Sequence, residues 1–440
     1  MSVKVSVIGL GYLGATHAVA MAELGHEVVG IEPDSKKLEA LKSGVLPFHE
    51  PGLDEALTRV LKTGRITFQS EHNEHSASAD LHFICVGTPQ RQGSDAADTS
   101  YVMAAAKALA PHLRPDAVVA GKSTVPVGTA TELQRVMSEI AGFYVNLVWN
   151  PEFLREGTAL EDSLRPDRIV VGAWNEHSVD VIKTAYAPIL NLGTPFLVLD
   201  VPTAELVKVA ANAFLATKIS FINAMAEVAE VSGADAVSLA KAIGYDERIG
   251  NKFLRTGIGF GGGCLPKDIR GFMARAEELG VGSAVEFLKD VDAINLRRRD
   301  RVVALAKSEL GDVRGKRVTM LGISFKPDSD DLRDSPALEI AQRLSREGAE
   351  VTVHDPVSLS ALAEKDPALG RESELVESVR EADLVILGTE WKQYKDADPE
   401  LLGSLVATKT VIDGRNVLDV DRWQAAGWKV IALGRSIQNA

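Results

Sequence analysis

Apolar runs of strand length alternate with helical stripes over the first 200 residues. VKVSVIG (3–9) is a short continuous apolar run, GLGYLG a turn, and ATHAVAMAELG a helix closed by Gly25, with HEVVGIE as the next strand. A strand–turn–helix–strand unit of this kind opens a doubly wound parallel sheet. Further strands are predicted at ITF (66–68), LHFICVG (81–87), AVVAGKST (117–124), YVNLVWN (144–150), RIVVG (168–172) and FLVLD (196–200). The texture changes at Thr203. One helical pattern then runs without Gly or Pro to about Val231, Gly233 ends it, and more helix follows to about Leu310. The alternation returns at KRVTMLGISF (316–325), followed by the helix SPALEIAQRLSREG and the strands EVTVHDP, ADLVILGT and VIDGRN. The pattern predicts an α/β protein in which two Rossmann-like doubly wound parallel-sheet domains (1–200 and 301–440) are joined by a helical middle domain (201–300) with a long connecting helix.

Composition narrows the function classes. The chain has 440 residues, 45% hydrophobic and 25% charged, a globular balance too long for one ordinary core. Its net charge of −13 argues against a nucleic-acid or anionic-membrane partner, and an anionic ligand would need a local basic pocket. Two cysteines make neither a disulfide framework nor a four-thiolate zinc site, and the nine histidines show no metal-ligand spacing. Cys85, inside an apolar strand, reads as a core residue; His72, His75 and His82 read as solvated residues in or near a polar loop. Residues 5–22 carry no charge, as a signal peptide would, but three glycines at fixed spacing and an immediately following strand argue against one. With no segment reading as a membrane span, a cytoplasmic protein is expected.

The first turn is informative in its context. Gly9, Gly11 and Gly14 form G-x-G-x-x-G after a strand and at a helix start, the arrangement that binds a dinucleotide pyrophosphate at a helix N-terminus. Glu32 closes the second strand, where a carboxylate accepts the adenosine ribose hydroxyls and repels a 2′-phosphate. NAD is therefore expected over NADP, although Lys36 and Lys37 lie close by. The turn after the strand at 316–325 lacks this spacing, so no second dinucleotide is expected there.

Four other stretches carry chemistry. In NPEFLREG (150–157), Asn150 and Pro151 suit a helix cap and first position, which would put Glu152 and Glu156 on one face; acidic residues also favour helix starts through the dipole alone, and spacing leaves both readings open. Lys208 and Asn212, also i, i+4, continue into the apolar Leu215, Ala216 and Ile219, which suggests a lined cavity that stabilises an oxyanion; a snorkelling lysine is the alternative. Thr124 in KSTVPVGT sits at the carboxyl edge of the sheet, the usual ligand crevice. In GFGGGCLPKD (259–268), Cys264 follows a glycine loop that lets a substrate lie against the backbone. Lys267 beside it would favour thiolate, and Asp268 would orient a water or share a proton. A thiol nucleophile in an NAD-binding protein suggests aldehyde capture as a thiohemiacetal and oxidation to a thioester; a small core cysteine in a tight loop is the other reading.

Together, GLGYLG, CVGTP, KSTVPVGT, NPEFLREGTALEDSLRPDRIVVG, ELVKVAANAFLATKISFINA, RIGNKFL, GFGGGCLPKD, SFKPDSDDLRDSP and DGRN resemble the UDP-glucose/GDP-mannose dehydrogenase family, in order from residue 9 to 416. The resemblance implies four-electron oxidation of UDP-glucose to UDP-glucuronate by two NAD⁺ without release of aldehyde. It implies Cys264 as nucleophile, Lys208 and Asn212 on the oxyanion, Thr124, Glu156 and Asp268 around the catalytic water, and Glu152 in acid–base steps. For the cofactor it implies Gly9, Gly11, Tyr12, Leu13, Gly14, Glu32, Lys37, Gly87, Thr88, Pro89, Thr124, Glu156, Lys267 and Arg333. For the nucleotide sugar it implies Phe153, Leu154, Lys208, Asn212, Phe260, Gly261, Phe325, Lys326 and Arg415, with Arg248 reaching a neighbouring subunit's substrate. The first α/β domain would bind NAD, the last the UDP-sugar, and the long helix would form the core of a homodimer or higher oligomer. Glu32, Gly263 and Leu265 stand where the family more often has Asp, Ser and an aromatic; none removes a reacting group.

Three rivals remain. One is the same chemistry on GDP-mannose or a UDP-N-acetylhexosamine, another a two-electron hydroxyacid-type dehydrogenase with a Lys/Asn pair, the third a non-catalytic NAD-binding regulator. NPEFLREG, with Phe153-Leu154 after Glu152 where the N-acetylhexosamine branch tends to carry Arg-Val, argues against that branch, and LRPDRIVVG resembles the glucose branch; Cys264 argues against the two-electron rival.

Overall fold

The computed structural model describes residues 2–435 and carries two sheets. The first comprises β1 (Lys4–Ile8), β2 (Glu27–Ile31), β3 (Ile66–Gln69), β4 (Leu81–Ile84), β5 (Val118–Gly121), β6 (Asn146–Trp149), β7 (Ile169–Ala173) and β8 (Phe196–Leu199). Their order is β3-β2-β1-β4-β5-β6-β7-β8, so the winding reverses between β1 and β4. The second comprises β9 (Arg317–Leu321), β10 (Glu350–His354), β11 (Gly370–Arg371), β12 (Leu384–Leu387), β13 (Thr410–Asp413) and β14 (Lys429–Ala432), in the order β11-β10-β9-β12-β13-β14, reversing between β9 and β12. This is the doubly wound topology twice over, and the crevice beyond the strand carboxyl ends at such a reversal is where ligands bind.

Every strand predicted in the first 200 residues is present. β4, β5 and β12 are buried on both faces, as helices covering a parallel sheet require. One departure is direction: β6 and β7 pair antiparallel, Val148 opposite Ala173, so β7 and β8 run against the rest. The long helix is Val201–Ser232, starting two residues earlier than its pattern suggested, with Pro202 in its first turn, where no N–H is needed.

The chain divides into two compact units, Met1–Ala211 with Arg270–Gly282, and Asn212–Ile269 with Ser283–Ala440. The first unit buries Val5, Val7, Leu10, Phe83 and Val118 against the helices Tyr12–Glu23 and Leu53–Lys62; the second buries Val318, Met320, Ile340, Leu344 and Ile386. By length and composition Val201–Ser232 is apolar enough to span a bilayer. Its Glu205 instead accepts from the Gly128 and Ala130 N–H groups at 2.8 and 2.7 Å, and its Lys208 pairs with Glu152, which marks a helix packed into protein.

His82 corrects the solvated-loop reading. It lies within β4 with no exposure, its Nδ1 2.7 Å from the Ser6 hydroxyl, because the strand begins one residue before it and turns its ring into the core. His72 is half-buried and stacks on His112 at 5.4 Å, whereas His75 is exposed as expected. Cys85 is buried.

Candidate active site

In the first unit each turn glycine meets a different demand. Gly9 has φ +83°, and a Cβ there would lie 2.6 Å from Val86 Cγ1. A Cβ on Gly14 would lie 1.8 Å from the Gly9 carbonyl oxygen, so only glycine lets the helix start this close to the strand. A Cβ on Gly11 would meet nothing within 4 Å. That open face adjoins the start of the helix Tyr12–Glu23, whose first turn has neither an acidic residue nor a side-chain cap, so its N–H groups and dipole suit a phosphate. Glu32, buried just past β2, accepts from Leu10 N–H at 2.9 Å on one oxygen and Asp34 N–H at 3.1 Å on the other; each oxygen retains a lone pair for a ribose hydroxyl. The residues present therefore fit a dinucleotide. Lys37 is exposed, its N–H held with that of Lys36 by the capping Asp34.

The second unit repeats the layout without the opening. Asp355, after β10, accepts on one oxygen from the N–H groups of Ile323 and Ser324 and the Ser324 hydroxyl, and on the other from Val357 and Ser358. Five local donors occupy the carboxylate that would otherwise face a ribose.

The segment 150–157 is irregular and ends in a turn at Glu156 and Gly157, and this corrects the shared helix face of Glu152 and Glu156; helix begins only at Ala159. The cause is tertiary. Asn150 does not cap: its Oδ1 accepts from Lys122 Nζ at 3.1 Å and Tyr186 hydroxyl at 2.7 Å, and its Nδ2 donates to Val170 O at 2.8 Å. Farther along, buried Glu50 accepts from Gly157 and Ala159 N–H, both at 2.6 Å, and from the Tyr12 hydroxyl. Burial first, then Glu50 and Glu156, push the Tyr12 phenol far above its ordinary range, so it stays a donor.

The non-helical backbone sets Glu152 against Lys208, 2.9 Å apart, with the second carboxylate oxygen accepting from Leu154 N–H at 2.6 Å. Burial pushes the Glu152 carboxyl up, but Lys208, the Leu154 N–H and Lys122 outweigh it and hold it below the usual range. Phe153 stacks under Arg168 at 3.8 Å and lies 5.7 Å from the Lys208 ammonium. Thr88 hydroxyl donates to Thr124 O at 2.7 Å, joining CVGTP to KSTV at the crevice edge, and a Cβ on Gly87 would meet open space.

In the second unit Cys264 is exposed and immediately precedes the helix Leu265–Glu278; its carbonyl accepts from Asp268 N–H at 2.9 Å. A thiol at a helix N-terminus is stabilised as thiolate. Lys267 is drawn to Asp268 Oδ1 at 2.5 Å, while Asn212 Nδ2 donates to Asp268 Oδ2 at 2.7 Å. Asp268 is thus a buried carboxylate gripped from both sides. The glycine run has a packing reason as well: Cβ atoms on Gly261, Gly262 and Gly263 would fall 2.2 Å from Asp334 O, 2.8 Å from the Phe325 ring and 2.2 Å from Arg333 Cζ. Asn295 holds Phe260 through both backbone groups. Arg415 donates to the carbonyls of Gly388, Gly259 and Phe325, at 2.8, 3.1 and 3.1 Å, and Lys326 lies 5.5 Å from the Phe325 ring centre. The structure thus gathers Phe260, Gly261, Phe325, Lys326, Arg333 and Arg415 around one loop. Arg248 is on the surface, paired with Asp246.

Lys122, Glu50 and Glu205 hold these segments and were not singled out from sequence. The available signal was a charge at the end of an apolar strand for Lys122 and an acid before Pro-Gly for Glu50; nothing local marks Glu205. Among the described residues no group of three or more His, Cys, Asp or Glu is arranged to hold a metal.

Comparison with known proteins agrees with this layout. Residues 3–190, 202–297 and 319–420 match the NAD binding, central and UDP binding domains of the UDP-glucose/GDP-mannose dehydrogenase family. The chain is 39% identical over 439 residues to UDP-glucose 6-dehydrogenase of Rhizobium meliloti, covering 98% of this chain and 99% of that protein. A solved UDP-glucose dehydrogenase from Pyrobaculum islandicum superposes with TM-score 0.89 at 38% identity, covering 99% and 98% of the two chains. UDP-D-ManNAc dehydrogenase from Pyrococcus horikoshii gives 0.85 at 25%, covering 99% and 100%. The cofactor is NAD, bound by the first of these domains. Matched across all three of its domains, the chain belongs to the UDP-glucose/GDP-mannose dehydrogenase family.

Proposed function

We propose that this chain oxidises UDP-glucose to UDP-glucuronate, with Cys264 carrying the half-oxidised sugar. The observation that carries the reading is the setting of Cys264: exposed, at a helix N-terminus, one turn from an Asp268 held by Asn212 and Lys267. Its extent of likeness to UDP-glucose 6-dehydrogenase of Rhizobium meliloti supports the substrate. NAD bound at the first turn supplies a hydride acceptor, used twice per substrate. Carbon 6 gives up a hydride to NAD⁺ and its hydroxyl a proton; the Cys264 sulfur, as thiolate, adds to the resulting carbonyl carbon, and the oxygen becomes a thiohemiacetal alkoxide. Lys208 and Asn212 stabilise that oxyanion. Loss of a second hydride leaves a thioester, which water cleaves to the acid and the thiol. Glu152 moves protons, and Thr124, Glu156 and Asp268 position the water. Gly9, Gly11, Tyr12, Leu13, Gly14, Glu32, Lys37, Gly87, Thr88, Lys267 and Arg333 hold the cofactor, and Phe153, Leu154, Phe260, Gly261, Phe325, Lys326 and Arg415 the nucleotide sugar. Residues 1–200, 201–300 and 301–440 serve as the NAD-binding, dimerisation and UDP-sugar-binding parts.

The long helix exposes Phe214, Phe221 and Val228 at seven-residue intervals, a stripe suited to self-association into at least a dimer, which would bring Arg248 to a neighbour's substrate. A reactive thiol fits the reducing cytoplasm. The test is NADH yield per mole of nucleotide sugar. Two with UDP-glucose, and far less turnover with GDP-mannose or UDP-N-acetylhexosamines, is expected; one NADH would support a two-electron dehydrogenase, and none a regulator.

A further inference from the structure

Lys122 is a cation where the first sheet should be apolar. It follows β5 directly and is 6% exposed. Its hydrogen-bond acceptors are neutral: Asn150 Oδ1 at 3.1 Å and the Tyr186 oxygen at 3.3 Å, with the Phe83 and Tyr186 ring centres each 5.9 Å from the ammonium. A buried ammonium solvated only by an amide and aromatic groups is costly to keep. A hydrophobic residue would serve the core better unless the charge is used.

The groups facing Lys122 are His17, Cys85, Tyr186, Glu152 and Lys208. Burial keeps His17 neutral, lifts the Cys85 thiol to about 12 and raises the Tyr186 phenol well above its ordinary range. Three charges therefore remain at neutral pH: Lys122 and Lys208 positive, Glu152 negative. Taken alone, the Lys208–Glu152 pair at 2.9 Å is neutral and offers a weakened field to an anion. With Lys122 the cluster is net positive.

We propose that Lys122 is a positioning residue that sets the charge of this cluster. It holds Asn150, and through it the start of the NPEFL segment. It also compensates Glu152, so that Lys208 presents net positive charge to the substrate oxyanion. The proposal rests on the roles given above to Glu152 and Lys208. Burial foremost, with Lys208, lowers the Lys122 ammonium to about 8 against the opposing pull of Glu152, so the charge is present at pH 7 and fades above pH 8.

The test is the pH profile of kcat for the full chain with saturating NAD⁺ and UDP-glucose. Wild type should lose activity above about pH 8. In Lys122→Met, kcat at pH 7 should fall by about 10- to 100-fold with KM for both substrates within about threefold. The fall near pH 8 should vanish, and the acid limb should move to higher pH, because Glu152 has lost one of two cations. A Lys122→Met profile that keeps both limbs where wild type has them overturns the proposal, whatever the loss in rate or melting temperature. Should Lys122→Met not fold, Tyr186→Phe removes one ligand of the ammonium and should move the alkaline limb to lower pH; an unmoved limb overturns the proposal equally. Glu152→Gln separates the two readings. Retention of the acid limb and of acid formation there would sink the role given to Glu152, while the alkaline limb still reports on Lys122.

Discussion

Gly14 lies so close to Gly9 that a Cβ added to it would sit 1.8 Å from the Gly9 carbonyl oxygen, whereas the same atom on Gly11 would meet nothing within 4 Å. The two glycines therefore separate folding from binding. Gly14→Ala should force helix and strand apart, costing roughly 1–3 kcal/mol of stability along with cofactor affinity. Gly11→Ala should change stability by less than about 1 kcal/mol yet weaken NAD binding by tenfold or more, since its methyl occupies the phosphate approach. Thermal melts and NAD titrations of the two variants check this; equal melting losses would contradict it.

Cys264→Ala should abolish acid formation, by on the order of 10³-fold or more, with NAD affinity within about twofold of wild type. Cys264→Ser should trap a slowly hydrolysed ester, visible as an added sugar-nucleotide mass on the intact protein. Undiminished conversion to the acid by the alanine variant would refute the role of the sulfur.

Acid should destabilise the first unit through His82. Burial above all lowers its ring to about 3, against an ordinary 6.5 in the unfolded chain. A buried histidine kept neutral contributes its full stability above the unfolded value and loses it as pH falls from 6.5 towards 3. At about 1.4 kcal/mol per unit, this amounts to roughly 2 kcal/mol at pH 5. Urea midpoints at pH 7 and 5 measure it. His82→Asn should flatten the slope between them, and an unchanged slope would assign the acid sensitivity elsewhere.

Phe221, 49% exposed, lies midway along the Phe214–Phe221–Val228 stripe. If that stripe seals a dimer, Phe221→Glu buries a charge in it, loses about 1.5–3 kcal/mol of apolar burial, and should shift the protein to monomer at micromolar concentration. Sedimentation velocity reads the outcome; an unaltered sedimentation coefficient would remove the stripe from the interface.

What could be read from sequence was local. The glycine turn, the strands around it and the long helix follow from apolar period and from backbone conformations that glycine alone tolerates, and neither needs a distant partner to be recognised. The family resemblance rested on the same short motifs. The middle stretch NPEFLREG shows the limit: its cap residues and paired glutamates are the signature of a helix start, yet the segment is not helical.

Distant partners decided that case. Asn150 is claimed by Lys122 and Tyr186, 28 and 36 residues away, and the Gly157 and Ala159 N–H groups by Glu50, more than 100 residues earlier. Their combined hydrogen bonds outweigh a local capping preference worth about 1 kcal/mol. His82 and the glycines at 261–263 follow the same logic, since what each packs against is remote in the chain. Period and turn chemistry thus determined where the elements and the cofactor turn lie; only the tertiary structure decided which polar side chains are buried, because burial and hydrogen-bond partners are properties of the assembled core and not of any window of sequence.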